Sequence, residues 1–301
     1  QRGSASGYYG MANLVGIAGG VVGAGILLAH FGRGAAIASI IAILVTTMLA
    51  TVILVPDRAA PVDATFRSAR ELLVKTFGVP LRHRDFRWLM ASRLLIFMGF
   101  GGLQNFSYFY FDNVFFRHDS RATAVASSTL LGIGILVAAL VSWPASRLSD
   151  RVGRRPLVFA AGLVGAAGSL MLVFSHFEWV PGAALAPLSE ALNLPALAAQ
   201  ATLAGRVIGA GLGMFFPVDW AFIQDVIPAD QAGLYMGFSN IATVGGGIVA
   251  VLLGGPLLDW FNAGPRLLGL PGGFTVLFCT FVVWFAIGSL SILKVPEVRR
   301  A

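Results

Sequence analysis

Seven stretches of this chain run without a charged side chain for roughly 18 residues or more, the length a helix needs to cross a bilayer core. They are residues 3–29, 35–56, 94–111, 122–146, 156–175, 231–258 and 267–293. An eighth hydrophobic segment, 197–223, is interrupted only by Arg206 and Asp219. In hydrocarbon every backbone N–H and C=O must be paired internally, so only helices and closed barrels can span it. Barrel strands read as alternating segments of about ten residues, and these runs do not alternate. The chain is therefore expected to be an all-α membrane protein with eight transmembrane helices, spans one to eight. With 57% hydrophobic and 12% charged residues, it lies far from the soluble average of about 25% charged.

The net charge of +7 raises the question of a nucleic-acid partner, and the distribution of charge argues against one. Sorted by alternate loops, sixteen Lys and Arg residues fall on one side of the membrane and four (Arg33, Arg117, Arg121, Arg266) on the other. The larger group takes in Arg93 and the basic residues of 147–155. Such asymmetry sets orientation and predicts a multi-pass cell-membrane protein with both ends of the sequence cytoplasmic. The lone Cys279 lies in the last span, where it reads as a small packing residue. The four histidines lack metal-ligand spacing, and no cofactor is expected. No His-Glu-x-x-His or Gly-x-Ser-x-Gly cluster appears, so nothing points to an intramembrane enzyme. No cleavable signal peptide is visible either.

The polar stretch between spans two and three, 57–88, reads as a cytoplasmic linker. Phe66, Ala69, Leu73 and Phe77 recur at helical spacing and predict an amphipathic helix near the headgroups. It divides residues 1–56 from a six-span bundle at 89–301. An internal similarity crosses that division: "QRGSASGYYGMANLVG" from residue 1 aligns with "QAGLYMGFSNIATVGG" from residue 231. Spans one and two would then correspond to spans seven and eight. Each repeat would hold six spans, and the first copy would have lost four. Repeated halves are a feature of secondary transporters.

The loop "RLSDRVGRRPL", 147–157, packs five charges between two uncharged spans. Gly153 permits a tight turn, and Pro156 suits the opening of a helix. Its Asp150, Arg151, Gly153, Arg154 and Arg155 resemble the Gly-x-x-x-Asp-Arg-x-Gly-Arg-Arg signature of the major facilitator superfamily, with Ser146 where that family usually has glycine. The resemblance implies the last eight helices of a twelve-helix fold and alternating access between two bundles. It also implies a gating role for these five residues, with Asp150 beside the start of span one, around residues 4–7. A helix N-terminus attracts such a carboxylate. The stripe Gly16, Gly19, Gly20 and Gly23 suits close helix packing, and by the same resemblance it meets span four. Two segments, "GAGLGMFFPVDWAFIQDV" and "SRLLIFMGFGGLQNFSYFYFDNVF", are similar to the glycoside–pentoside–hexuronide and sucrose–cation symporter branch.

Charge inside a membrane costs at least ~2.5–3.5 kcal/mol near the centre and usually faces a cavity or a partner. Arg206 and Asp219 lie roughly 20 Å apart along a helix and point different ways, so they do not pair. Arg206 reads either as a residue that snorkels outward or as part of the coupling machinery. Asp219, beside Pro217, reads as a proton or cation coupler or as a wetted helix-end carboxylate. In span three Arg93, Gln104 and Tyr108 share one face within about 60°, Asn105 flanks it, and Asp112 continues it. Amides and a phenol among aromatics suit a hydroxylated solute, or else hydrogen bonds between helices. Trp143 and Trp220 lie near span ends, where tryptophan anchors the interface; Trp220 is also placed with Gln104, Asn105 and Tyr108 as a solute contact.

These readings converge on a monomeric secondary transporter moving a small solute with a coupling ion, a proton, across the lipid bilayer. Sugar/proton symport is the preferred expectation. Proton-coupled efflux of amphipathic compounds is the alternative, and a non-transporting receptor or scaffold is the rival from another class.

Overall fold

The computed structural model describes residues 2–54, 78–117, 119–228 and 231–297. Helices account for nearly all of them: α1 Arg2–Leu54, the single turn α2 Val79–Arg82, α3 Arg84–Phe111, α4 Ser120–Val152, α5 Arg154–Val173, α6 Gly182–Leu192, α7 Ala196–Val226, α8 Ala232–Asn262 and α9 Gly272–Ile292. A π-helical turn, Asp112–Phe116, extends α3. Seven segments among the described residues are long and apolar enough to cross a membrane: Gly34–Leu54, Arg84–Phe116 and the five helices α4, α5, α7, α8 and α9. The first expected span, 3–29, is helical. It is separated from Gly34–Leu54 by a non-helical residue, Gly32, at φ 79°. The linker helix expected around Phe66 to Phe77 lies outside the described residues.

Local chemistry explains where helices start and stop. Asp119 caps α4 by accepting hydrogen bonds from the Arg121 and Ala122 amides at 3.1 Å, which pairs amides that have no intrahelical partner. Prolines 181, 195 and 271 stand at the N-caps of α6, α7 and α9. Between α4 and α5 the chain reverses at Gly153, with φ 106° and ψ 161°, a conformation that side-chain-bearing residues rarely adopt.

The bundle is assembled by glycine. Helix α7 packs along α4 through Gly205, Gly209 and Gly213. A Cβ on Gly213 or Gly209 would enter the α4 backbone at Ala138 or Gly134, and one on Gly205 would lie 2.9 Å from the Leu130 carbonyl. On its other side Gly211 meets Ala161 and Gly165 of α5. Helices α3 and α8 approach at Gly101, where a Cβ would lie 2.7 Å from the Gly247 Cα. Lipid tails are as apolar as Leu, so helices in a membrane associate by such backbone contact more than by burying apolar area. Aromatic side chains fill the α3–α9 seam: Tyr110 meets Phe278 edge-on at 5.0 Å and Phe100 meets Phe285 at 4.9 Å.

Two expectations, for Arg93 and for the α1 glycines, need correction, and two further features go beyond what was expected. Helix α3 begins at Arg84 rather than near Leu94, so Arg93 lies inside a helix and is fully buried; it does not belong with the loop cations. Helix α6 was not expected, because its eleven residues carry two prolines' worth of breaking signals around 181–187 and too little length for a span. The glycine stripe of α1 does not pack closely against the described residues: a Cβ on Gly16, Gly19, Gly20 or Gly23 would meet none of them within 4 Å. Helix α1 does pack against α4 and α7, so it meets the expected span without close contact at those glycines. Trp143 carries Arg147 over its ring at 3.8 Å, a cation–π contact beyond the simple anchor expected.

Because Gly209 abuts backbone, which cannot move aside like a side chain, Gly209→Ala should lower the thermal unfolding midpoint of the purified protein. Overpacking of this kind costs typically ~1–3 kcal/mol. Gly20→Ala, in open space, should leave the midpoint within experimental scatter.

Candidate functional site

A buried ion pair joins three helices. Arg93 of α3 donates from Nη1 to Asp219 Oδ2 of α7, with side chains 0% and 1% exposed. Its Nε and Nη2 both donate to Thr243 Oγ1 of α8, at 3.0 and 2.8 Å. The guanidinium carbon lies 5.2 Å from the ring centroids of both Phe97 and Trp220. Every face of the cation is thus engaged by an anion, a hydroxyl or an aromatic ring, the contacts that make a desolvated guanidinium tolerable. Thr243 in turn donates to the Ser239 carbonyl at 3.3 Å.

Depth follows from helix geometry. At 1.5 Å per residue, Arg93, Asp219 and Thr243 lie roughly 10–16 Å inside the near ends of their helices. Those ends, Arg84, Val226 and Ala232, are on one side of the bundle because α3, α7 and α8 alternate in direction. The pair is therefore an intramembrane knot, not a surface salt bridge. Among the described residues Asp219 Oδ1 has no hydrogen-bond partner.

The expected solute strip separates into two places. Gln104, Asn105 and Tyr108 are exposed on α3, where Asn105 Nδ2 donates to its own helix at Gly101 O, 2.7 Å. Asn105 also lines a shallow groove of about 400 Å³ with Val244, Gly247, Ile248, Val251 and Leu252 of α8. Arg93 shares their helix face but sits about 16 Å along the axis, where α7 and α8 converge and bury it. Trp220 goes with Arg93 rather than with the exposed strip. Asp112, expected to continue the strip, instead accepts from Thr123 Oγ1 at 3.2 Å. Arg206 is half-buried in α7, and its Nε finds no hydrogen-bond partner among the described residues. As the spacing required, it does not meet Asp219.

The turn at 147–157 forms a second cluster at the same end of the bundle. Arg154 donates from Nη1 to Asp225 Oδ2 and to the Ala221 carbonyl, both at the end of α7. Its Nη2 lies 4.0 Å from Asp150. Glu297, beyond α9, accepts from the Arg154 and Arg155 amides at 2.7 and 3.0 Å. A carboxylate is thereby placed on the positive end of α5. Arg155 Nη2 donates to the Leu293 carbonyl, and Arg151 is exposed. The approach of Asp150 to residues 4–7 rests on side chains outside the description.

Sequence reasoning missed Arg93 as the partner of Asp219, and missed Thr243 and Glu297. A usable signal existed for Glu297, the only acidic residue after Asp259. For Arg93 the signal was its position one residue before an uncharged span.

A bundle of apolar helices sewn together by glycines, with one buried ion pair and a charged turn closing one end, defines a multi-pass membrane protein of the solute-transporter class. The family model of the Major Facilitator Superfamily matches residues 1–251, and the chain belongs to that family. Its members are secondary transporters of small solutes, often with a coupling ion. No curated protein and no solved structure matches the chain.

Glu297→Ala should remove the acceptor of the first two α5 amides. Losing such a cap costs about 0.5–2 kcal/mol, so the amides of Arg154 and Arg155 should exchange with deuterium roughly 2- to 30-fold faster, with those of α8 unchanged.

Proposed function

We propose that this protein is a proton-coupled secondary transporter in which Asp219 takes up and releases the coupling proton. The observation that carries this reading is the Arg93–Asp219 pair, buried within the membrane and linking α3, α7 and α8. Removing one member of a buried pair strands the other's charge at a cost of about 3–5 kcal/mol. Protonation of Asp219 cancels its charge in the same way, which gives a proton the leverage to change how the helices pack. The preferred cargo is a sugar or similar hydroxylated solute, held by Gln104, Asn105 and Tyr108; the branch resemblance of the same helix supports this. Trp220 serves the pair, and Arg206 is the second charged group of the pathway. Residues 1–56 act with one bundle and 89–301 form the other. The turn of Asp150, Arg151, Gly153, Arg154 and Arg155 restrains them on the cytoplasmic side.

The groove beside Asn105 supports a second reading. Its Val244, Ile248, Val251 and Leu252 wall suits an amphipathic compound exported against an inward proton flow.

In sealed vesicles containing the protein, an imposed pH gradient should drive accumulation of a radiolabelled sugar. Asp219→Asn should abolish accumulation while leaving solute exchange at equal concentrations within about twofold. Gradient-driven expulsion of an amphipathic dye without sugar uptake would select the second reading. Unchanged accumulation by Asp219→Asn would reject the coupling role.

A further inference from the structure

Helices α3 and α9 run in opposite directions and meet along one seam. At the depth of Leu95 they touch closely: a Cβ on Gly288 would lie 3.3 Å from the Leu95 Cβ. Toward the end of the bundle that carries the 147–157 turn, the Lys294 ammonium lies 3.8 Å from the ring centroid of Trp88. Trp88 stands seven residues before Leu95, and Lys294 six residues after Gly288. Both are therefore about 9–10 Å nearer that end.

The two helices bring matching stripes to this seam. On α9 Val283, Ile287 and Leu290, followed by Lys294 just past its end, recur at steps of four, three and four, the spacing of one helix face. All four are exposed. The Lys294 amide donates to the Ser291 carbonyl at 3.2 Å, which carries the turn past Ile292. On α3 Arg84, Trp88, Ala91 and Leu95 repeat the same steps, from an exposed arginine to half-buried apolar residues. Arg87, also exposed, flanks that face. Each stripe is apolar toward the middle of the bundle and cationic at its end. We propose that this seam binds an anionic phospholipid, with Arg84, Arg87 and Lys294 around the headgroup phosphate and an acyl chain along Val283, Ile287 and Leu290.

Charge complementarity selects the partner. Arg93 and Arg154 are met by carboxylates, whereas among the described residues Arg84, Arg87 and Lys294 have no such partner. Asp85, in the same first turn of α3, still leaves this group net positive. Glu297, the nearest acid in sequence to Lys294, accepts from the Arg154 and Arg155 amides. An ammonium has three N–H donors, so Lys294 can rest on the Trp88 ring and still donate to a phosphate. A tryptophan ring suits the headgroup level. Basic residues there are attracted to anionic lipid, each contributing about fivefold in affinity. A zwitterionic lipid brings its own cation to the same place and gains less. Free phosphate lacks the chain that the apolar stripe would hold. The proposal does not depend on the coupling role of Asp219: it concerns the lipid-facing side of α3 and α9, and a lipid bound there would fasten the two helices together.

The test is native mass spectrometry of the full chain purified in detergent, with the thermal unfolding midpoint as a second readout. The probes are phosphatidylglycerol, phosphatidylcholine with the same acyl chains, and inorganic phosphate. Phosphatidylglycerol should bind more tightly than phosphatidylcholine and raise the midpoint, and inorganic phosphate should leave it unchanged. Lys294→Gln or Arg84→Gln should weaken phosphatidylglycerol binding about fivefold, and the two together roughly 20- to 30-fold, with phosphatidylcholine binding little altered. Arg117→Gln with Arg121→Gln, which removes as much charge at the opposite end, should leave the lipid preference as it was. Because the preference is a ratio taken within each variant, a less stable variant still reports it. Equal binding of the two lipids overturns the proposal, as does a preference that survives loss of Arg84 and Lys294. An equal loss in the Arg117 and Arg121 variant would mean diffuse attraction and no site at this seam. A midpoint raised as far by phosphate alone would mean a free-anion site.

Discussion

A charge held away from water must be met by something of opposite sign or by a full shell of dipoles, and the fold of this protein is arranged around that requirement. Arg93 and Asp219 enter the bundle on different helices, and neither is tolerable there alone. Their pairing fixes which faces of α3 and α7 turn inward and at what height. The hydroxyl of Thr243 brings α8 to the same point. In a bilayer, where apolar packing gives little preference for one helix neighbour over another, a polar knot of this kind specifies register. The glycines of α4, α5, α7 and α8 then let the helices close on it.

The turn at Gly153 makes the second tie, of a different character. It joins the start of α5 to the end of α7 through Arg154 and Asp225, and to the segment after α9 through Glu297. These contacts lie at the helix ends, partly wetted, where charge is cheap and hydrogen bonds exchange readily with water. The inner pair is the more deeply buried; the outer cluster is spread over several contacts. Both sit toward one end of the bundle, so a change in either is felt as a change in how that end is closed.

Much of the architecture was legible because lipid imposes so strict a rule. Apart from the start of α3, uncharged runs predicted the crossing helices from Gly34 onward within about six residues at either end, and Gly153 and Pro156 predicted the turn. The signal failed where it treated charge as a boundary. Arg93 was counted with the cations of one membrane side because a charge next to an apolar run normally marks the run's end; here the helix begins nine residues before it, and the cation is buried by a partner far away in sequence. Asp219 was read as a coupler or as a wetted helix-end carboxylate, and no local spacing could say that one of the arginines meets it. The face shared by Arg93, Gln104 and Tyr108 was real, but helical angle carries no information about where neighbouring helices converge. The α1 glycines show the converse: a good packing pattern with nothing near enough to use it.

The central claim is that Arg93 and Asp219 neutralise each other inside the bundle, and a double-mutant cycle on unfolding of the purified protein measures this most directly. Arg93→Ala and Asp219→Ala should each destabilise by about 3–5 kcal/mol. The double variant should lose well under the sum, because no stranded charge remains, giving a coupling energy of about 1 kcal/mol or more. Losses that simply add would mean the two side chains do not meet, and the reading of the site would be wrong.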